Sequence, residues 1–361
     1  MNKKEQHRNV TLSDIAAKAG VSKTAVSKVL NGRPIRISDG KRDKILAVAK
    51  SLNYRPNLIA RGLKGSTTRT IGIVIPDLTT LFYPELVRQI ETRLAEKGYQ
   101  TIVCNSGDDH IREHQQLDNL LARLVDGLVL VPATGTTNLA FLRGIHGRGI
   151  PLLMLDRYYP GEPFRYVVTD NRAGAETGTD WLLKHGATRV LYLGEKRRNH
   201  ALEERVAGVR NAAAAAGVRF FKRDLFLCTP DRKAVTATCH DLLDRATGST
   251  GVFLESHRLM MGLLDACRER GLRIPTDLFT VGFDAFEPSL LTDNDLESLR
   301  VLAAPPATLR QNTEALADQA CRFLLASFEE GHQEETAWQK ILKPDLITTQ
   351  QTPPRPDSLP K

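Results

Sequence analysis

Thr11-Leu12-Ser13-Asp14-Ile15-Ala16-Ala17-Lys18-Ala19-Gly20-Val21-Ser22-Lys23-Thr24-Ala25-Val26-Ser27-Lys28-Val29-Leu30 reads as two short helices and the turn between them. Thr11 followed three residues later by Asp14 fits a capping box that satisfies the first free N–H groups of a helix. Leu12, Ile15, Ala16 and Ala19 then fall on one helical face. Gly20 ends that helix, because a left-handed residue there needs no Cβ. Ser22 caps a second helix running to about Leu30, with Val26, Val29 and Leu30 inward. A third helix is predicted from Asp39 to Leu52, with Ile45, Val48, Ala49 and Leu52 closing a small core. Asn53 and Pro56 stop it.

Two helices around a tight turn are the arrangement that lets the second lie in a DNA major groove. The polar side chains at its start are Lys23, Thr24, Ser27 and Lys28. Lysine donates to guanine O6 and N7, and threonine reads a base edge or a thymine methyl. Ser13, Ser22 and Asn31 sit where phosphate contacts are expected, and Thr11 is a further expected DNA contact. Charge agrees with this reading. Residues 1–69 hold 16 Lys/Arg against 4 Asp/Glu, whereas the remainder holds 34 against 38. A strongly basic head on a mildly acidic body implies a polyanion partner for the head.

Beyond Ile71 the pattern changes. Apolar, β-rich runs begin near Ile71, Thr101, Leu128 and Leu152, with helical stretches between them over Leu86–Lys97 and Ile111–Leu124. A second series follows at Arg189–Gly194, Leu225–Cys228, Gly251–Glu255 and Phe279–Asp284. Strands alternating with helices predict parallel sheets covered on both faces. Two doubly wound lobes are therefore expected, with a ligand cleft at the carboxyl ends of the strands.

Several ordered motifs resemble the lactose/galactose repressor family of bacterial transcriptional regulators. In the head these are Val10–Ala16, Ala19–Ser22, Val26–Gly32 and Leu52–Asn57. In the body they are Ile75-Pro76-Asp77, Phe82-Tyr83, Asp126-Gly127-Leu128, Leu155-Asp156-Arg157, Arg205 with Ala207-Gly208, and Val281-Gly282-Phe283-Asp284. The resemblance implies an N-terminal all-α helix-turn-helix head over 1–56 and a hinge over 57–68. A periplasmic-binding-protein-like α/β core of two lobes would then span 69–347, and the polar, proline-rich composition of 348–361 reads as a disordered tail. It implies base reading by Lys23, Thr24 and Lys28. Asn57 to Lys64 matches the hinge segment, with Asn57 and Ala60 contacting DNA and Leu63 wedging into the minor groove. Gly62 raises the cost of ordering that segment by roughly 1 kcal/mol relative to Ala. Asp77, Phe82, Arg157, Arg205, Ser256 and Asp284 are the implied effector contacts. Thr80-Leu81 departs from the family's usual Asn-Pro, and Glu255-Ser256-His257 from its usual Ala-Asn-Asp. The stretch Pro288–Ala304 is longer than the resemblance predicts.

The expected partners are double-stranded operator DNA, a small sugar, sugar acid or sugar phosphate as effector, and a second copy of the chain, since one head covers only half of a palindromic site. No cofactor, metal or catalytic constellation is expected. His110-Ile111-Arg112-Glu113-His114 formally matches an inverted zinc-protease pattern but reads better as a solvated helix face. Five scattered cysteines predict free thiols in a reducing cytoplasm. No apolar run is long enough for a membrane span or follows the first lysines as a signal peptide would. The body alone would also suit a solute-binding protein of a carbohydrate transport system.

Overall fold

A computed structural model describes residues 10–30, 32, 34–54, 67–197, 199–247, 249–284, 295–328 and 338–348. The chain divides into two units, Met1–Thr68 and Arg69–Lys361.

The first unit holds three helices, α1 (Leu12–Ala19), α2 (Lys23–Leu30) and α3 (Asp39–Ser51). The capping box forms: Asp14 N donates to Thr11 Oγ1, and Thr11 N donates to Asp14 Oδ2 at 2.8 Å. Gly20 closes α1 with φ 72°. Ser22 Oγ accepts from Ala25 N at 3.1 Å, so the turn serine caps α2. Ile15, Ala16, Ala19, Val26, Val29, Ile45 and Ala49 form the buried core of this unit. Leu12, Leu30, Val48 and Leu52 pack around it half-buried. The apolar spacing of the sequence thus becomes one shared core, which such short helices need because none is stable alone.

The second unit is built from two lobes of the same design. Lobe 1 uses β1 (Thr70–Ile75), α4 (Phe82–Glu96), β2 (Gln100–Asn105), α5 (His110–Ala122), β3 (Gly127–Leu130), α6 (Leu139–Gly147), β4 (Leu152–Leu155) and β5 (Arg165–Thr169). Lobe 2 uses α7 (Asn171–Lys184), β6 (Arg189–Glu195), α8 (His200–Ala215), β7 (Leu225–Cys228), α9 (Arg232–Asp244), β8 (Thr250–Leu254), α10 (Met260–Glu269), β9 (Phe279–Phe283), the short α11 (Leu296–Leu299) and β10 (Ala307–Arg310). The chain then returns to lobe 1 as α12 (Thr313–Ala326) and β11 (Gln339–Leu342), and crosses again to end lobe 2 with β12 (Asp345–Ile347).

The strand orders are β11-β5-β4-β3-β1-β2 and β12-β10-β9-β8-β6-β7. All pairs are parallel except β10–β12. Each sheet therefore reverses direction of winding beside its first strand, the point where doubly wound folds open a crevice. Central strands such as β3, β4 and β8 are buried throughout, as strands covered on both faces must be. The predicted strand series is present. The sequence reading lacked β5, β10, β11 and β12, which complete the two sheets. The third helix stops at Ser51, one residue before the predicted end.

The body passes between lobes three times, at Asp170, at Gln311–Asn312 and at Lys343–Pro344. Among the described residues no helix is long and apolar enough to cross a membrane. Cys228, Cys239, Cys267 and Cys321 are buried free thiols and Cys104 is half-buried.

Candidate functional site

On the head, Lys23, Thr24 and Lys28 are exposed on α2, and Ser27 is half-buried between them. Thr24 and Lys28 lie one turn apart, as do Lys23 and Ser27, so the four share the outer side of the helix while Ala25, Val26 and Val29 face the core. Thr11, Ser13 and Ser22 are exposed at the starts of α1 and α2. Free N–H groups and their positive dipole ends face outward at such starts, a suitable setting for phosphates. Asn31, Asn57, Ala60 and Leu63 lie outside the described residues.

In the body a cavity of about 420 Å³ opens between the carboxyl ends of the two sets of strands. All six predicted effector residues line it: Asp77, Phe82 and Arg157 from lobe 1, Arg205, Ser256 and Asp284 from lobe 2. Strand ends bring them together. Asp77 follows β1, Arg157 follows β4, Ser256 follows β8 and Asp284 follows β9, while Phe82 comes from the first turn of α4 and Arg205 from the second turn of α8.

Arg205 is the organising cation. It is 6% exposed, with Nε donating to Asn171 Oδ1 at 2.7 Å and Nη1 to the Glu255 carbonyl. Its guanidinium lies 3.7 Å from the Phe283 ring centroid. These are dipoles and a ring face, not carboxylates, and among the described residues Arg205 has no salt bridge. Its Nη2 has no hydrogen-bond partner there either. A buried cation held this way keeps a strong donor for a ligand oxygen.

Acceptors surround it. Burial pushes the Asp284 carboxyl above its ordinary value, against the opposing hydrogen bonds from Gln311 and the field of Arg205. Gln311 donates to it from its backbone N at 3.1 Å and from Nε2 at 2.6 Å. Burial likewise raises Asp156, against Arg157, Arg205 and the Tyr83 hydroxyl that donates to it at 2.8 Å. Arg157 donates to Asp108 Oδ1 at 2.7 Å. Burial would raise Asp108, but Arg157 and Thr134 together outweigh it and hold the carboxyl below its ordinary value. Ser256 Oγ donates to Glu195 Oε1 at 3.2 Å. Glu255 is fully buried and accepts from Tyr192 Oη and Glu195 N at 2.6 and 2.7 Å. The departure at Glu255 thus fills a structural position beneath the cavity, and its carbonyl orients Arg205.

Two further residues offer unpartnered polar atoms. Gln311 Oε1 and Thr80 Oγ1 are buried without a hydrogen-bond partner, and both residues line the cavity. An unmade buried hydrogen bond costs on the order of 1–3 kcal/mol, so a ligand hydroxyl that supplies one binds at an advantage. Neither residue was singled out from sequence as a contact. Gln311 follows the unread strand β10, and that strand, placed in the repeated order, is the signal that would have found it. The cavity as a whole presents arginine donors between carboxylate and amide acceptors, which suits a polyhydroxylated molecule.

Glu113 of the His-x-x-Glu-His pattern is 1% exposed and accepts from Ala133 N and from Asn138 Nδ2, the latter at 2.8 Å. It ties α5 to the loop after β3, so the expected solvated face fails at Glu113, which these bonds hold inside, and holds at His110 and His114, which are exposed.

The family model described as bacterial regulatory proteins, lacI family, matches residues 11–57. The model described as periplasmic binding proteins and sugar binding domain of LacI family matches residues 68–330. The transcriptional regulator DegA of Bacillus subtilis (strain 168) is 31% identical over 349 residues, covering 95% of this chain and 98% of that protein. A solved complex of the transcriptional regulator CelR with cellobiose superposes with a TM-score of 0.67 at 25% identity, over 95% of this chain and all of the other. The lac repressor dimer bound to operator and the anti-inducer ONPF gives a TM-score of 0.78 at 22% identity over 95% and 99%, a likeness of fold. With a reading head matched by one model and a sugar-binding body by the other, the chain belongs to the lacI family of bacterial regulatory proteins, DNA-binding regulators of transcription.

Proposed function

We propose that the protein is a cytoplasmic repressor that binds a palindromic operator as a homodimer and leaves it when a small sugar, sugar acid or sugar phosphate occupies the cleft. The observation that carries this reading is the convergence of Arg205, Asp156, Asp284 and Gln311 on one cavity between two lobes that share three chain crossings. A ligand touching both lobes favours one angle between them, and an effector acts through such a difference in affinity for two states. Lys23, Thr24 and Lys28 read bases in this account, and Leu63 wedges the minor groove. The cellobiose held by the CelR complex supports a carbohydrate as effector class. Apolar side chains on one side of lobe 1 support a second copy: Val103 on the edge strand β2, Ile111 on α5 and Leu124 just after it are 38%, 59% and 38% exposed. A solute-binding protein would have no use for the reading helix.

Binding to a palindromic duplex should weaken by about a thousandfold or more between 50 and 200 mM salt, as counterion release from several phosphates requires. Arg205→Ala and Asp284→Ala should each abolish release by the sugar that releases the wild type, with apo-state DNA affinity kept. Salt-insensitive DNA binding would sink the regulator reading. An unchanged dose response in both variants would remove the cleft from it.

A further inference from the structure

Two ion pairs join the lobes across the cleft. Arg258, in the turn after β8, lies 3.4 Å from Asp77 Oδ2, in the turn after β1. Arg197, after β6, lies 3.5 Å from Asp108 Oδ2, after β2, and donates to the Asp108 carbonyl at 3.3 Å. Both acids belong to lobe 1 and both bases to lobe 2. All four residues line the cavity.

The acids are held in place before any partner arrives. Asp77 accepts from Thr79 N and Oγ1 at 2.7 and 2.6 Å. Asp108 accepts from Thr134 N at 3.0 Å, from Thr134 Oγ1 at 2.9 Å and from Arg157. A fixed carboxylate loses little side-chain freedom when a guanidinium docks on it, which removes much of what makes exposed ion pairs weak. The arginines are the more exposed half, with side chains 36% and 69% exposed against 22% and 20% for the acids. A further contact accompanies them, Tyr158 Oη of lobe 1 lying 3.3 Å from His200 Nε2 of lobe 2.

We propose that Asp77–Arg258 and Asp108–Arg197 form a charged latch that holds the two lobes closed over the effector. The proposal rests on the reading of the cleft as the effector site and assigns that site its control. Closure then contributes to affinity, so even an uncharged sugar binds less tightly as ionic strength rises. The latch also bears on ligand class. Arg197 and Arg258 are occupied by lobe 1 carboxylates, so an anionic group reaching them would open the latch it needs for capture. The favoured effector presents hydroxyls, not a charge, toward these two arginines.

The test needs no ligand. Spin labels go on Thr136→Cys in lobe 1 and Lys233→Cys in lobe 2, both exposed, in a full-length Cys104→Ser background where the other four cysteines are buried. The distance distribution is then read by pulsed electron resonance. In low salt the shorter separation should dominate. Raising salt to 1 M, where the screening length is about 3 Å, should lower the closed-to-open ratio by roughly threefold to tenfold. The pair Arg197→Gln/Arg258→Gln should do the same in low salt. Arg258→Asp alone should open the lobes, and Asp77→Arg added to it should restore closure. An unchanged distribution in the double glutamine variant, or a charge swap no more closed than Arg258→Asp, overturns the latch. Either result leaves the effector reading intact, whereas failure of every sugar to bind would overturn that reading with the latch distances unaffected.

Discussion

At the scale of single residues, the cleft is a set of buried polar groups whose ionisation is governed by their neighbours. His257, at the start of the turn after β8, shows this most simply. Burial lowers its imidazole to about 4, helped by Arg258 and opposed by Glu195 and Asp77. In the unfolded chain it titrates near its ordinary value of 6.5. Between those two pH values the unfolded chain binds the extra proton and the folded one does not. The stability that His257 contributes is therefore complete above 6.5 and is lost as pH falls toward 4. From pH 7 to pH 5 the wild type should lose on the order of 1–2 kcal/mol more than His257→Gln, measured from urea midpoints. Parallel pH profiles would show that this imidazole titrates alike in both states. Residues were also the most legible level of the sequence. Asp77, Arg157, Ser256 and Asp284 were implied by the resemblance to the repressor family, and their places beside the ends of expected parallel strands agreed with it. Thr80 Oγ1 and Gln311 Oε1 escaped notice because an unmade hydrogen bond exists only in three dimensions.

At the scale of elements, α7 and α8 pack closely across the first turns of lobe 2, and Gly208 permits it. A Cβ built there would meet the Arg172 carbonyl oxygen at 2.3 Å and the Ala175 Cβ at 2.7 Å. Backbone cannot step aside as a flexible side-chain end does, so Gly208→Ala should destabilise the body by about 2 kcal/mol or more. Arg205 sits one turn earlier on the same helix and would move with it. The expected outcome is a lower urea midpoint for the body together with weakened effector binding, while the isolated head transition stays put; an unshifted midpoint would mean the helices separate at little cost. The strands divide by legibility for a physical reason. β1, β3, β4, β6, β8 and β9 are buried on both faces and announce themselves as apolar runs. β11 is short and largely open to solvent and β12 is only three residues, half-buried at Leu346 and Ile347, so nothing in Gln339–Leu342 or Asp345–Ile347 separates them from loop. β5 follows β4 with no helix between, which breaks the alternation that the reading relied on. β10 follows the long stretch Pro288–Ala304, of which residues 288–294 lie outside the described residues.

At the scale of the whole molecule, the proposed repressor acts as a dimer, because one reading helix would cover one half-site. Ile111→Asp should place a charge on the exposed apolar side of lobe 1. The expected result is a concentration-dependent shift from dimer to monomer in sedimentation velocity, with operator affinity reduced at least tenfold and the helical content retained. A variant that remains dimeric would move the interface elsewhere. The two-lobed design was legible as a repeated strand–helix series, but the return of the chain was not. That return has a consequence for biosynthesis. A ribosome extrudes the reading head first, then lobe 1 up to β5, then lobe 2 up to β10. β5 and β10 stand as bare edge strands until residues 339–347 emerge, when β11 covers one and β12 the other as short new edges. From about residue 170 the nascent chain carries a finished DNA reader on a sheet whose β5 is bare, and from residue 310 β10 is bare as well; uncovered strands invite wrong partners, so dependence on chaperones should peak while residues 310–347 are being made.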